Sequence, residues 1–145
     1  MKIVVLTTGH RPDDDRVYFK EVASLLTRYP RVDLIAPADA GQTYAIGAGT
    51  VLHPLARRRG VWGRVRTMLA AAAEAIRLKP DVCHFHDLDF IVLAPWVRWR
   101  CGAKMVYDAH EVYPESMLIS PHVPARLRPL AAWIVEVVEK TCAKA

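Results

Sequence analysis

The sequence predicts an α/β fold: a Rossmann-like doubly wound parallel sheet with helices on both faces. Three observations predict it. Short apolar runs alternate with amphipathic helical segments along the 145 residues, and such alternation implies right-handed crossovers between parallel strands. The strands read as continuous apolar runs, the pattern of strands buried on both faces. Polar residues gather just after several strands, where open parallel sheets bind ligands. Length and composition agree: 145 residues with 52% hydrophobic and 24% charged types make one domain, residues 1–145, with one core.

Ile3 to Leu6 is the first strand. After the loop Thr7 to Asp15, apolar side chains at Tyr18, Val22, Leu25, Leu26 and Tyr29 trace one helix face. Asp14 or Asp15 stands at the N-cap, and Pro30 stops the helix. Val32 to Ala36 is the next strand, ended by Pro37. Gly41 to Gly49 is a small-residue loop, and Thr50 to Leu52 a short strand. Trp62, Val65, Leu69, Ala72, Ala73 and Ile76 mark the inward face of a second helix, closed by Pro80. Val82 to Phe85 is the fourth strand. The helix within Asp87 to Arg100 has room for Pro95 only in its first turn or at a kink. Met105 to Tyr107 is the fifth strand, and Pro114 to Pro124 reads as loop. Leu127, Leu130, Ala131, Ile134, Val137 and Val138 make the last helix.

Composition excludes several classes. Cys83, Cys101 and Cys142 form no CxxC pair, so neither a disulfide framework nor a structural zinc site is expected, and a reducing cytoplasm suits the chain. Four apolar residues before Thr7 are too few for a signal peptide, and no run approaches the ~18 residues of a spanning helix. No GxGxxG follows the first strand, which removes the dinucleotide fingerprint.

The first strand is followed by Thr7-Thr8-Gly9-His10 and by Asp13 to Asp15, the fourth by His86-Asp87, and the fifth by Asp108-Ala109-His110-Glu111. In a doubly wound order those three strands are neighbours, so His10, His86, Asp87, His110 and Glu111 should converge on one crevice. Gly9 would let a ligand approach the backbone closely. His84 reads as a hydrogen-bonded core residue. A small metallohydrolase is the competing enzyme reading of His84-Phe85-His86 with Asp87 or Asp89. Two histidines at strand spacing should straddle the strand end without closing a cage, so no metal is expected.

From Ala40 to Ala73 the chain holds no acidic residue while Arg57, Arg58, Arg59, Arg64 and Arg66 crowd together. This run is either a solvated face or a patch for an anionic membrane surface, with Val61, Trp62 and Val65 beside the arginines. No nucleic-acid motif accompanies it.

Three segments together are more specific than any alone. His10-Arg-Pro-Asp-Asp-Asp-Arg-Val-Tyr-Phe-Lys-Glu21, Asp81-Val-Cys-His-Phe-His-Asp87 and Lys104-Met-Val-Tyr-Asp-Ala-His-Glu-Val-Tyr-Pro-Glu115 resemble, in order, the N-terminal domain of glycosyltransferase family 4. The resemblance implies one half of a GT-B architecture: a retaining, metal-independent transferase moving a sugar from a nucleotide-sugar to a saccharide or lipid-linked acceptor in surface polysaccharide or glycolipid synthesis. It implies catalytic roles for His110 and Glu111, substrate contacts at Gly9, His10, Asp14, Arg16, His86 and Asp87, and a partly structural role for Lys20 and Glu21. It implies no cofactor beyond the donor substrate. The donor would sit in a C-terminal domain that is absent here, so the expectation is a fragment, a truncated reading frame or an excised N-terminal domain, with little turnover alone. Tyr29-Pro30-Arg31 departs from the family's usual glycine turn. The expected location is cytoplasmic, with a peripheral place at the inner face of the plasma membrane if the arginines meet lipid; the alternative function is a non-catalytic module binding anionic lipid.

Overall fold

A computed structural model describes residues 1–109, 112–121 and 123–142. Five strands form one all-parallel sheet in the order β3-β2-β1-β4-β5. They are β1 (Ile3–Leu6), β2 (Val32–Ala38), β3 (Thr50–Ala56), β4 (Val82–Phe85) and β5 (Lys104–Tyr107). The chain moves outward from β1 to β3 and then crosses back to β4 on the other side of β1. The order therefore reverses between β1 and β4, and the connections beyond their carboxyl ends diverge to leave a crevice. Leu6, Phe85 and Tyr107 are in register, so Thr7, His86 and Asp108 follow at one level.

Alternation along each strand divides the core in two. Val4, Leu6, Ile35, Cys83 and Phe85 pack under α2 (Gly60–Leu78) and α3 (Ala94–Cys101), with Val138 and Cys142 of α5 (Arg128–Cys142) against the same cluster. Ile3, Val5, Val32, Leu34 and Ala36 pack on the other face. There a π-helical turn, Val17–Val22, runs into α1 (Ala23–Leu26) and buries Val17, Tyr18 and Val22. The helices of that second face cover β1 and β2 but leave β5 open, and Val106 is 45% exposed.

Several elements differ from the sequence reading. β2 continues through Pro37 to Ala38, and β3 runs the full Thr50–Ala56 against it. Pro54 is tolerated because β3 is an edge strand, and Pro37 because it lies beyond Asp33–Ile35, the part of β2 that pairs with β1. The segment read as loop from Pro114 is helical at its start: α4 is Tyr113–Ile119, with Pro114 in its first turn, where a missing N–H costs nothing. Pro95 likewise opens α3, after a 3₁₀ turn Leu88–Val92. The inward face of α2 is Thr67, Ala71, Ala72, Ala75 and Leu78, whereas Trp62 and Leu69 are exposed. Small alanines let this helix lie close on the sheet; of the expected stripe Ala72 is buried and Ile76 packs against the core, while Trp62 and Leu69 point outward. In α5 Ala132 is buried and Val138 of the expected stripe packs against the core, while Leu130, Ile134 and Val137 stay exposed.

Candidate functional site

The crevice between β1 and β4 is built around Asp87. Its Oδ2 accepts hydrogen bonds from the Thr7 hydroxyl and the Thr8 N–H, both at 2.7 Å. Thr7 Oγ1 in turn accepts from the Gly9 and His10 N–H groups at 3.2 and 3.0 Å, and the Thr8 hydroxyl donates to Asp89 at 2.7 Å. Asp87 is buried and thereby locks the loop after β1 onto the end of β4. Gly9 lies against this lock: a Cβ there would stand 2.7 Å from Asp87 Oδ1. The glycine is required by the aspartate, whatever else approaches it.

A second cluster lies on the thinly covered face. His84 and His86 do not straddle the strand end. Residues two apart in a strand share a face, and the two rings are 4.7 Å apart. Glu21, carried there by the π-helical turn, places Oε2 at 3.0 Å from His86 Nε2 and 3.8 Å from His84 Nε2. Asp108 Oδ2 lies 3.8 Å from His86 Nδ1 and 3.2 Å from Arg16 Nη2, and Arg16 Nε lies 3.6 Å from Glu21 Oε1. Burial raises the Glu21 carboxyl, and the neighbouring Asp108 carboxylate raises it further against the pull of Arg16, to about 7. His84 thus belongs to a charged cluster facing the crevice side and is no ordinary core residue.

His10 is partly exposed, and its Nδ1 contacts Asp14 Oδ2 at 3.1 Å. Asp14 Oδ1 accepts from the Arg16 and Val17 N–H groups at the head of the π-helical turn, whose N-cap position is Arg16 and not the Asp14 or Asp15 of the sequence reading. Burial would raise the Asp14 carboxyl, but these backbone bonds and His10 outweigh it and hold it below its ordinary value. Contacts thus run from His10 through Asp14 to Arg16, and on through Asp108 to His86. His110 and Glu111 lie outside the described residues; they follow Asp108 by two and three positions.

The arginines divide. Arg64 pairs with Asp89 at 2.6 Å and stands 3.9 Å from Asp87, and Arg57 lies 3.6 Å from Asp39. Arg57, Arg58, Arg59 and Arg64 line a cavity of about 240 Å³ together with Thr8 and Gly9. Arg66 is exposed and is not among that cavity's lining residues. Val61 and Trp62 next to the arginines are 79% and 80% exposed.

The sequence matches the family model described as "Glycosyl transferase 4-like domain" over residues 4–144. The chain belongs to that family. No significant match to the curated proteins is found. In this glycosyl transferase 4-like domain the sheet switch point, the loop lock at Asp87 and the cationic cavity all fall on the carboxyl side of the strands. The sequence reading noted Thr7, Thr8 and Asp108 after the strands without assigning them to the site, offered Asp89 and His84 only to the competing metal reading, and gave Glu21 a partly structural role. Asp108 was findable, because it occupies the same level after β5 as His86 after β4. Glu21 was not, because its approach depends on the π-helical geometry of Val17–Val22.

Proposed function

We propose that this domain is the acceptor-side half of a retaining glycosyltransferase that moves a sugar from a nucleotide-sugar to a saccharide or lipid-linked acceptor, the donor being held by a second, C-terminal domain. In the reaction the acceptor hydroxyl oxygen bonds to the anomeric carbon as that carbon's bond to the diphosphate breaks, and the hydroxyl proton leaves with the nucleoside diphosphate or to solvent. The transition state is oxocarbenium-like with growing negative charge on the diphosphate. The observation that carries this reading is the meeting of the Gly9 loop, Asp87 and the arginine cavity at the point where strand order reverses. Arg58 and Arg59 offer positive charge to a phosphate-bearing substrate there. Asp87 and the Thr7–Thr8 loop fix the wall against which it binds. His110 is assigned to position the sugar and Glu111 an acceptor hydroxyl, with Gly9, His10, Asp14, Arg16, His86 and Asp87 shaping the pocket.

The test is sugar transfer from a panel of nucleotide-sugars by this chain joined to a donor-binding domain of the same family. Transfer that requires this chain and falls at least about 100-fold in His110→Ala, the scale of a lost transition-state contact, supports the reading; undiminished transfer in that variant overturns the assignment of His110.

A second reading has its own observation, the exposure of Val61 and Trp62 beside Arg57, Arg58 and Arg59. No helix among the described residues is long and apolar enough to cross a membrane. The exposed pair and the arginines fit peripheral attachment to anionic lipid, at the cytoplasmic face of a membrane. Co-sedimentation with phosphatidylglycerol vesicles should weaken with salt and disappear when the three arginines become Gln.

A further inference from the structure

We propose that Glu21, His84 and His86 bind one divalent transition-metal ion of zinc-like preference, with Asp108 orienting His86 from behind. The inference stands apart from the sugar-transfer reading, because it concerns occupancy of this cluster and gives the ion no step in transfer.

Glu21, His84, His86 and Asp108 each offer one ligand atom, and these atoms all lie within 4.8 Å of one another. Glu21 Oε2 is 3.0 Å from His86 Nε2 and 3.8 Å from His84 Nε2. Bonds of about 2.0–2.1 Å in a tetrahedral shell separate neighbouring ligand atoms by about 3.3–3.4 Å. The two spacings from Glu21 bracket that value and the histidine atoms lie within 4.8 Å of each other, so modest shifts would bring three ligand atoms onto one ion, the fourth position being left to water. The other nitrogen of His86, Nδ1, faces Asp108 Oδ2 at 3.8 Å. That is the carboxylate–histidine–metal order, in which the outer carboxylate fixes ring orientation and raises ligand basicity.

Glu21 uses its two oxygens differently. Oε1 faces Arg16, while the buried Oε2 accepts no hydrogen bond among the described residues, its 3.0 Å approach to His86 lacking hydrogen-bond geometry. Arg16 lies beside both Glu21 Oε1 and Asp108 Oδ2, so an ion at Oε2 would not displace it from Oε1. Two imidazoles with a carboxylate select borderline ions such as zinc or cobalt over magnesium and calcium, which want oxygen shells. Such an ion would tie the helix after the first loop to the end of β4, on the part of the sheet with least helical cover.

The test uses the whole chain freed of metal with a chelator and titrated with cobalt(II), whose visible bands report its coordination, followed by competition with zinc(II). One equivalent of cobalt is expected to bind and to be displaced by zinc. Binding should be lost in His84→Ala and Glu21→Gln, fall about 10–100-fold in Asp108→Asn as outer-shell changes do, and persist in His53→Asn. Long-range ¹H–¹⁵N spectra of the unmutated chain with zinc should place the bound nitrogens at Nε2 of His84 and His86, which keeps the test decisive if a variant unfolds. No binding at submillimolar cobalt, binding indifferent to both Glu21→Gln and His84→Ala, or shifts on His10 or His53 instead, each overturns the proposal.

Discussion

Two ionic clusters sit on opposite faces of the same sheet and are made from the same residue types, yet their charges are balanced differently. Toward the amino ends of β2 and β3, Asp33 accepts from Arg31 and contacts His53, each within 2.8 Å, and His53 contacts Glu74 at 2.8 Å while Glu74 pairs with Arg77. Burial alone would raise Asp33, but Arg31 and His53 outweigh it and its carboxyl is held below the ordinary value; the Arg77 hydrogen bond does the same for Glu74. Beyond the carboxyl ends of β4 and β5, Glu21 and Asp108 both lie beside Arg16, and burial with the facing Asp108 pushes Glu21 the other way, to about 7. In one cluster the carboxyl groups are held ionised. In the other, beside the switch point, Glu21 is pushed toward its neutral form, a perturbation of the kind that gathers at sites that handle ligands.

The comparison can be broken by mutation. Asp87→Ala should cost most, about 3 kcal/mol in urea unfolding, because it strands the buried Thr7 hydroxyl and Thr8 N–H. Asp33→Asn follows at about 2 kcal/mol, since it removes the carboxylate charge from a cluster in which Arg31 and His53 both lean on it. Gly9→Ala should cost about 1–2 kcal/mol by forcing Asp87 aside, an overpacking effect. Glu21→Gln at pH 8 with chelator present should lie within about 1 kcal/mol of zero or stabilise, because it removes one of two facing carboxylates. If Glu21→Gln costs as much as Asp33→Asn, the two clusters are balanced alike and the contrast fails.

Acidity sharpens the same contrast. Glu21 has a folded value of about 7 against an ordinary 4.5, so between those values the folded chain binds more protons than the unfolded one. The stability Glu21 contributes is therefore complete below pH 4.5 and lost as pH rises through about 7. Asp33 and Glu74 run in the opposite sense: their stabilisation is present above the ordinary carboxylate range and lost as pH falls through their depressed values. Unfolding measured from pH 4.5 to 8 in chelator should show a downward slope from Glu21 that flattens in Glu21→Gln. The smallest effect belongs to the exposed arginines, where Arg58→Gln should leave stability within about 0.5 kcal/mol.

Strand identities, the order of elements and the pairing of β1 with β4 were legible because each rests on local pattern. Ile3–Leu6 and Val82–Phe85 are apolar runs whatever the tertiary context, and alternation with helices leaves few topologies for them. Helix faces were legible only in part. The stripe at Trp62 and Leu69 has helical spacing, but which stripe is buried depends on how close the helix must lie to the sheet, and the alanines at 71, 72 and 75 won. The length of β3 escaped for a related reason, since Pro54 breaks a strand signal locally but sits harmlessly on an edge.

By itself the sequence determined the parallel α/β architecture and put polar residues after β1, β4 and β5, because hydrophobic periodicity and chain connectivity are one-dimensional properties. Tertiary structure alone decided that Asp87 clamps the Thr7–Thr8 loop across a separation of about eighty positions, and that Glu21 and Asp108 meet the two histidines of β4. Those contacts join segments far apart in the chain. Their distances follow from sheet register and from the winding of one π-helical turn, which no local window of residues records.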